Sequence, residues 1–562
     1  MVGRSRWFLT VCVSAVAMAL SAGPAVGAGT GAAPPGAGHA EDPTDTSAAW
    51  AQADAIRERV QPPEFPEFEV SIVDLGADPT GVEKSTEAFD AAITLVSESG
   101  GGRVIVPDGT FLTGAIHLQD NVDLHLEDDA TIRFSQDKSD YLPVVKTRFE
   151  GVELYNYSPF IYGYQVRNVA VTGNGTLDGN ADADHWWNWK NPRPALEEED
   201  RQALFQMAED GVPVEDRVFG ADHLLRTNFV EFYQSENILV QGVTLNNSPM
   251  WLLHPVLCEN VTIDGVHLES LGPNNDGVNP ESSRDVVIKN TFFNTGDDNV
   301  AIKSGRNADG RRIGVPSENI LIEDNFMEAG HGAIVVGSEI SGGVRNVFAQ
   351  NNVMDSPELD RIVRVKTNSV RGGVVENIYV RDNDVRELGG EVVWVDFFYE
   401  EGDVGSFTPI VRNIYVEGVD SNGGSYGVYL RGYERSPITN VTITDSNMND
   451  VETPMLVQNA QGLRFIDTTI NGEVVDDVIC QNTVWLGVPE TLVDSGVPDR
   501  ALPDRWCLSE QFDEDEDEDW SPGRFRGHVA QVSTQLLRQE LIDSDERRAL
   551  MAAARAAGGT VG

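Results

Sequence analysis

Glu236-Asn237-Ile238-Leu239-Val240, Glu259-Asn260-Val261-Thr262-Ile263, Arg284-Asp285-Val286-Val287-Ile288 and Glu318-Asn319-Ile320-Leu321-Ile322 are four copies of one short phrase. Each sets a charged residue, then Asn or Asp, before three strand-favouring residues. The phrase continues at Arg345-Asn346-Val347-Phe348, Glu376-Asn377-Ile378-Tyr379-Val380, Arg412-Asn413-Ile414-Tyr415-Val416 and Thr439-Asn440-Val441-Thr442-Ile443, and an earlier copy stands at Arg167-Asn168-Val169-Ala170-Val171. From Asn237 onward, successive Asn or Asp anchors lie 23 to 36 residues apart, a period that marks a solenoid or a propeller. The spacing is too short and too irregular for four-stranded propeller blades. Enrichment in Val, Ile and Thr with alternation of period two excludes helical repeats. An all-β fold, a parallel β-helix, is what remains.

Working outward, regular structure is expected to start at Val70-Ser71-Ile72-Val73. A helix over Thr86–Ser97, with Ala88, Ala92, Ile93 and Val96 on one face, ends at Gly100-Gly101-Gly102 and caps the solenoid. The coils are interrupted by an insertion, about 180–227, that carries His185-Trp186-Trp187-Asn188-Trp189. Loops on a solenoid often build its binding face, so this one reads as a flap shaping one end of a cleft. The regular Asn residues read as turn residues that hydrogen-bond the backbone. Four segments follow: a signal peptide over 1–28, an Ala/Gly/Pro-rich linker over 29–65, the β-helix over 66–485, and an acidic linker with a helical C-terminal extension over 486–562. The signal peptide implies secretion. The acidic run Asp513–Asp519 reads as a solvated hinge, and Val529–Ala557 as a helical hairpin or an amphipathic helix.

The 562 residues carry a formal charge of −49, from 90 acidic against 41 basic side chains, and only seven of the basic ones are lysines. Such a surface repels nucleic acid and anionic membranes, and no stretch after the leader reaches the roughly 20 apolar residues a membrane helix needs. Dense carboxylates also suit a protein that must stay hydrated in high salt. Where cations cluster in so acidic a chain, something local calls for them. Beyond the leader stand Cys258, Cys480 and Cys507, too few for a disulfide framework and not a metal set; Cys480 and Cys507 leave one bridge open.

In a β-helix, residues at equal offsets from successive anchors become neighbours about 4.8 Å apart. Asp297 follows its anchor by 12 residues, and so does His331. Asp276 follows Asn260 by 16 and Arg364 follows Asn346 by 18, so one patch collects Asp276, Asp297, Asp298, His331 and Arg364. Asn274 with Asp276, and Arg364 with Lys366, are two apart, and in extended chain each pair projects from one face. Hydrolysis of a glycoside needs one carboxylic acid to protonate the leaving oxygen and another carboxylate to activate water or attack the sugar. Crowded carboxylates raise one another's pKa and keep one proton near working pH. Adjacent Arg and Lys suit the carboxylate of a uronic acid. Trp251 and His254, one coil earlier, are open to either sugar stacking or core packing.

The motifs Asn274-Asn275-Asp276-Gly277, Gly296-Asp297-Asp298, Gly330-His331-Gly332 and Arg364-Val365-Lys366 resemble, in order and spacing, those of glycoside hydrolase family 28, the polygalacturonases. Asn275 stands where threonine is usual, and Val365 where isoleucine is. The resemblance covers roughly 70–485 and implies a single-stranded right-handed parallel β-helix of the pectin-lyase-like kind. It implies inverting hydrolysis of α-1,4-linked galacturonic acid in pectin, without metal or organic cofactor. Asp297 would be the general acid, Asp276 and Asp298 would activate water, and His331 would orient the acid. Asn274, Arg364, Lys366 and Tyr399 would bind substrate. The insertion and Ser338-Glu339-Ile340-Ser341-Gly342-Gly343 resemble bacterial members that act from chain ends. The expected partner is a pectic polysaccharide or oligogalacturonide, and the expected state a monomer. Rhamnogalacturonan or xylogalacturonan hydrolysis, a pectate lyase and a non-catalytic glycan-binding β-helix are the alternatives.

Overall fold

The computed structural model describes residues 45–191, 195–475, 477–480, 483–487, 492–503, 505–512 and 521–557. The signal-peptide segment and the acidic run 513–519 lie outside the described residues. Parallel strands stack into three long ribbons: two of fourteen strands each, whose last members turn antiparallel, and a third in which strands of four and six are joined through bridges at Val278, Val300, Glu281 and Lys303. The fold is a right-handed parallel β-helix. Its inside is one continuous apolar column running from Ile72 to Ile470. Each repeated phrase places its first and third apolar residues in that column, as with Val286 and Ile288, while the middle one, Val287, faces outward. Alternation of period two along the strand produces this division.

The Asn anchors behave differently from expectation. Asn168, Asn237, Asn260, Asn319, Asn346, Asn377, Asn413 and Asn440 take left-handed backbone angles, with φ between 51° and 60°. Asn is among the few residues that tolerate this conformation. Their side chains bond mainly to one another, coil to coil: Asn237 Nδ2 donates to Asn168 Oδ1 at 2.9 Å, Asn260 to Asn237 at 2.7 Å, and Asn346 to Asn319 at 3.1 Å. Asp285 substitutes as acceptor for Asn319 at 3.0 Å, which explains why one anchor tolerates aspartate.

The segment read as a linker contains a helix, Ser47–Arg59. Its few apolar residues escaped a search for a long period, yet Trp50, Ala53 and Ile56 are buried on the outward-facing Val287, Leu321 and Phe348. Arg57 and Arg59 pin it to Glu323 and Asp285. The capping helix spans Thr86–Glu98, with Ala88, Ala92, Ile93 and Val96 buried. Parallel stacking ends with the strands Ala460–Ile466 and Thr468–Ile470; the next strands pair antiparallel. Residues Val484 to Ala557 then form a second apolar cluster that includes the helices Pro522–Arg538 and Ser544–Ala557. Cys480 and Cys507 are joined in a disulfide, and Cys258 is buried and free. No described helix is long and apolar enough to cross a membrane.

Candidate active site

The site lies on the outer face of the third ribbon. There, two rows of side chains point away from the core. One runs through Glu231, His254, Asn279, Ala301, Val335, Arg364, Trp394 and Tyr429; the other through Tyr233, Val256, Glu281, Lys303, Lys366, Asp396 and Arg431. The residues between them, such as Val300, Ile302, Val363, Val365, Val393 and Val395, belong to the core column.

Just before these strands, turns bring the carboxylates together. Gly277 N donates to Asp298 O at 2.9 Å, and His331 N to Asp297 O at 3.0 Å, so the three motif turns lie on adjoining coils. Two glycines permit that approach. A Cβ at Gly296 would sit 2.3 Å from Gly272 O, and one at Gly330 would sit 2.6 Å from Asn299 Nδ2 and 2.7 Å from Asp297 O.

His331 Nδ1 is 3.0 Å from Asp297 Oδ1. Arg364 Nη1 lies 2.9 Å from one oxygen of Asp298, and Lys366 Nζ 2.6 Å from the other. Asn279 Nδ2 donates to Asp276 Oδ2 at 2.7 Å. Tyr399 borders the same cations, its ring 5.6 Å from Lys366 Nζ and 5.9 Å from the Arg364 guanidinium. Arg364 Nε is buried without a hydrogen bond, and the guanidinium is held to the site through Nη1.

The three aspartates differ in electrostatics. Burial, reinforced by the charges of Asp297 and Asp298, pushes Asp276 up to about 7 although Lys303 and Lys366 oppose it. Asp298 is equally buried, but Lys366, Arg364 and Lys303 outweigh that burial and hold it well below the usual carboxylate range. The hydrogen bond to Asp297 raises His331. Asp297 is the accessible member, with 20% of its side chain exposed against 1% for Asp298.

Asn274 departs from the extended-chain reading. Its φ is 54°, it sits in a turn, and its Oδ1 accepts from Arg226 of the insertion at 2.8 Å. The adjacent Asn275 is fully buried and ties that turn down: it accepts from Gly272 N at 2.8 Å and donates to Met250 O at 2.9 Å. The insertion itself includes the helix Glu198–Glu209 and packs Leu204, Ala208 and Phe219 with Trp251 and Met250, so Trp251 is a core residue.

Sequence reasoning missed Lys303 and Glu339. Lys303 is buried, 3.6 Å from Asp276 Oδ2, 3.2 Å from Glu339 Oε2, and 4.6 Å above the Trp251 ring. The signal was present, since one of only seven lysines falls five residues after Asp298. Also missed was the antiparallel hairpin Val145–Phe149/Val152–Asn156, which covers the earlier coils of this face. Thr147 donates to Glu231 at 2.7 Å, Arg148 to Glu281 at 2.8 Å, and Tyr233 to Glu153. His254 lies between Glu231 and Glu281, at 3.2 and 2.8 Å, and all three are fully buried. The face is therefore walled up to the coil of Glu281 and open beyond Arg364. Among the described residues, the acidic and thiol groups close enough to hold a metal are Cys480, Asp499 and Cys507, two of them already bridged to each other.

A parallel β-helix whose outer face gathers three carboxylates, a histidine and two cations has the make-up of a carbohydrate-active enzyme. Comparison with known proteins bears on the kind. The model of glycosyl hydrolases family 28 matches residues 222–468. A probable polygalacturonase of Vitis vinifera is 30% identical over 67% of this chain and 73% of its own. An exo-poly-alpha-D-galacturonosidase of Dickeya chrysanthemi is 26% identical over 67% of each chain. Among solved structures, a hyperthermoactive exopolygalacturonase from Thermotoga maritima superposes with a TM-score of 0.73 at 46% identity, over 76% of this chain and 96% of that one. The chain belongs to glycosyl hydrolase family 28 and is a glycoside hydrolase.

Proposed function

We propose that this enzyme hydrolyses α-1,4-linked galacturonic acid in pectin, releasing single units from the chain end by an inverting mechanism. The observation that carries the reading is the dead end. The wall of Arg148, Glu231, His254 and Glu281 stands on the coils up to that of Asp276 and stops the polymer on that side, whereas the coils past Arg364 carry partly exposed side chains. The exo-acting relatives from Dickeya and Thermotoga support the same reading.

The terminal sugar occupies the closed end and its neighbour lies over Arg364, Lys366 and Tyr399, where the part of Arg364 that stays exposed meets a substrate carboxylate. Asp297 is the member exposed enough to reach the glycosidic oxygen as the acid, with His331 orienting it. Burial and the charges of Asp297 and Asp298 raise Asp276 to about 7, so above that value it is ionised and able to take a proton from water. Asp298, kept ionised by its two cations, and Asp276 hold the attacking water between them. Early digests of polygalacturonate test the reading. Galacturonate monomer alone is expected; mixed oligomers from the start would overturn it. Unsaturated product, read by its ultraviolet absorbance, would point to elimination instead. Secretion through the N-terminal leader completes the proposal, since the substrate is an extracellular polymer.

A further inference from the structure

Beyond the carboxylates, among the described residues, the outward rows continue onto coils where Trp394, Tyr429 and Arg431 stay partly exposed. Arg364 is followed by Trp394 and then Tyr429, each one strand further along, and Lys366 is followed by Asp396 and then Arg431. Trp394 and Tyr429 stack with centroids 5.8 Å apart and planes within 18°, and Trp394 packs edge-on against Tyr399 at 6.4 Å. Both rings are half-buried, in contrast to the sealed Tyr233 at the other end of the face. Cations flank them. Arg361 lies 5.4 Å from the Trp394 ring, and Arg431, with 37% of its side chain exposed, is 4.0 Å from Asp396.

From this geometry we infer that Trp394, Tyr429 and Arg431 form further substrate subsites, a track for the second and third galacturonate units on the leaving-group side. The inference rests on the dead-end reading, which fixes the side by which the polymer must leave. Coils advance about 4.8 Å, close to the advance of one pyranose along its chain, so one partly exposed aromatic side chain per coil falls beside each sugar. A sugar's C–H face stacks on such a surface, and an aromatic side chain offers large contact area at small entropic loss. Stacking recognises no charge, so the cations carry selectivity: Arg431 is placed to meet the carboxylate of a unit on the track, as Arg364 meets that of the first. On a surface of net charge −49, a run of Arg361, Arg364, Lys366 and Arg431 is a local exception that a polyanion can follow.

The test is the ratio of kcat/KM on tetragalacturonate to that on digalacturonate, since only the longer substrate reaches the track. In Tyr429→Ala the ratio is expected to fall about tenfold, and in Tyr429→Phe to stay within about twofold of the wild type, because the ring face is kept. Arg431→Gln should lower the ratio as well, and it supplies the reading if thermal melting shows Tyr429→Ala unfolded. An unchanged ratio in folded Tyr429→Ala or in Arg431→Gln overturns the track. Product patterns from the same digests keep the two ideas apart: mixed oligomers would sink the dead end, while the ratio still decides on the track.

Discussion

At the level of single residues, the aspartates show how neighbours divide labour among identical side chains. Asp276 and Asp298 are both sealed from water, yet one is raised to about 7 and the other held far down, because two cations face Asp298 directly while Asp276 faces Asp297. Asp276 must be ionised before it can take a proton from water, and it loses its own near 7, so kcat/KM is expected to rise along an acidic limb near that value, measured on digalacturonate. Asp297→Asn should lower kcat by at least about 10³-fold with circular dichroism and melting temperature retained; appreciable turnover would remove Asp297 from the acid role. Lys303 supplies a sharper check. Its ammonium lowers Asp276 and pairs with Glu339, which Arg306 also holds, so Lys303→Met removes a cation 3.6 Å from Asp276 and should move that limb upward. A downward shift would show that the lysine acts otherwise. The aspartates, His331 and the Arg364/Lys366 pair were legible because equal offsets from an anchor become contacts. Lys303 was not, because its partner Glu339 follows on the next coil and nothing in a linear phrase announces that pairing.

Elements were readable in proportion to their repetition. A coil seen nine times declares itself even when each copy is only about five residues long, and its anchors were found although their bonding partners were misjudged. The Asn ladder needs the αL turn and the coil-to-coil register together, and register is what a single strand does not contain. The Ser47–Arg59 helix fails for the opposite reason. It is present once, its buried side comprises little more than Trp50, Ala53 and Ile56, and its stability comes from the outward-facing Phe348 and Tyr379 about 300 residues away in sequence on the order of a long-range contact. Because Trp50 is 6% exposed and also covers the Arg381 guanidinium at 3.8 Å, Trp50→Ala should cost about 3 kcal/mol of stability. The helix lies on the first ribbon and the carboxylates beside the third, so kcat on digalacturonate should not change. A matching loss of kcat would mean that the helix communicates with the site. The hairpin that closes the cleft was equally hidden: its inward residues, Thr147, Arg148 and Glu153, are polar, and hydrophobic periodicity gives no account of a buried surface made of ion pairs.

For the molecule as a whole, the opposition between an acidic protein and a polyanionic substrate has to be resolved by distance. The formal charge of −49 is spread over the surface, whereas Arg364, Lys366 and Arg431 occupy one short stretch of the third ribbon. At about 0.01 M ionic strength the Debye length is roughly 30 Å, so an approaching galacturonan meets the repulsion of the entire molecule. At about 0.15 M it shrinks to roughly 8 Å, and the chain end then senses little beyond the cations in front of it. Contacts to Arg364, with 11% of its side chain exposed, are partly buried and far less screened. Added salt should therefore raise kcat/KM on polygalacturonate several-fold between these concentrations, through KM rather than kcat, while digalacturonate, with two charges, responds weakly. The same screening relieves self-repulsion among 90 acidic side chains, so the melting temperature should climb over the same range. An enzyme steered by its cations would show the reverse, with kcat/KM falling as salt rises. That outcome would mean that the field at the cleft mouth is positive despite the surrounding carboxylates, and that the arginines of the open end reach further than their ion pairs suggest.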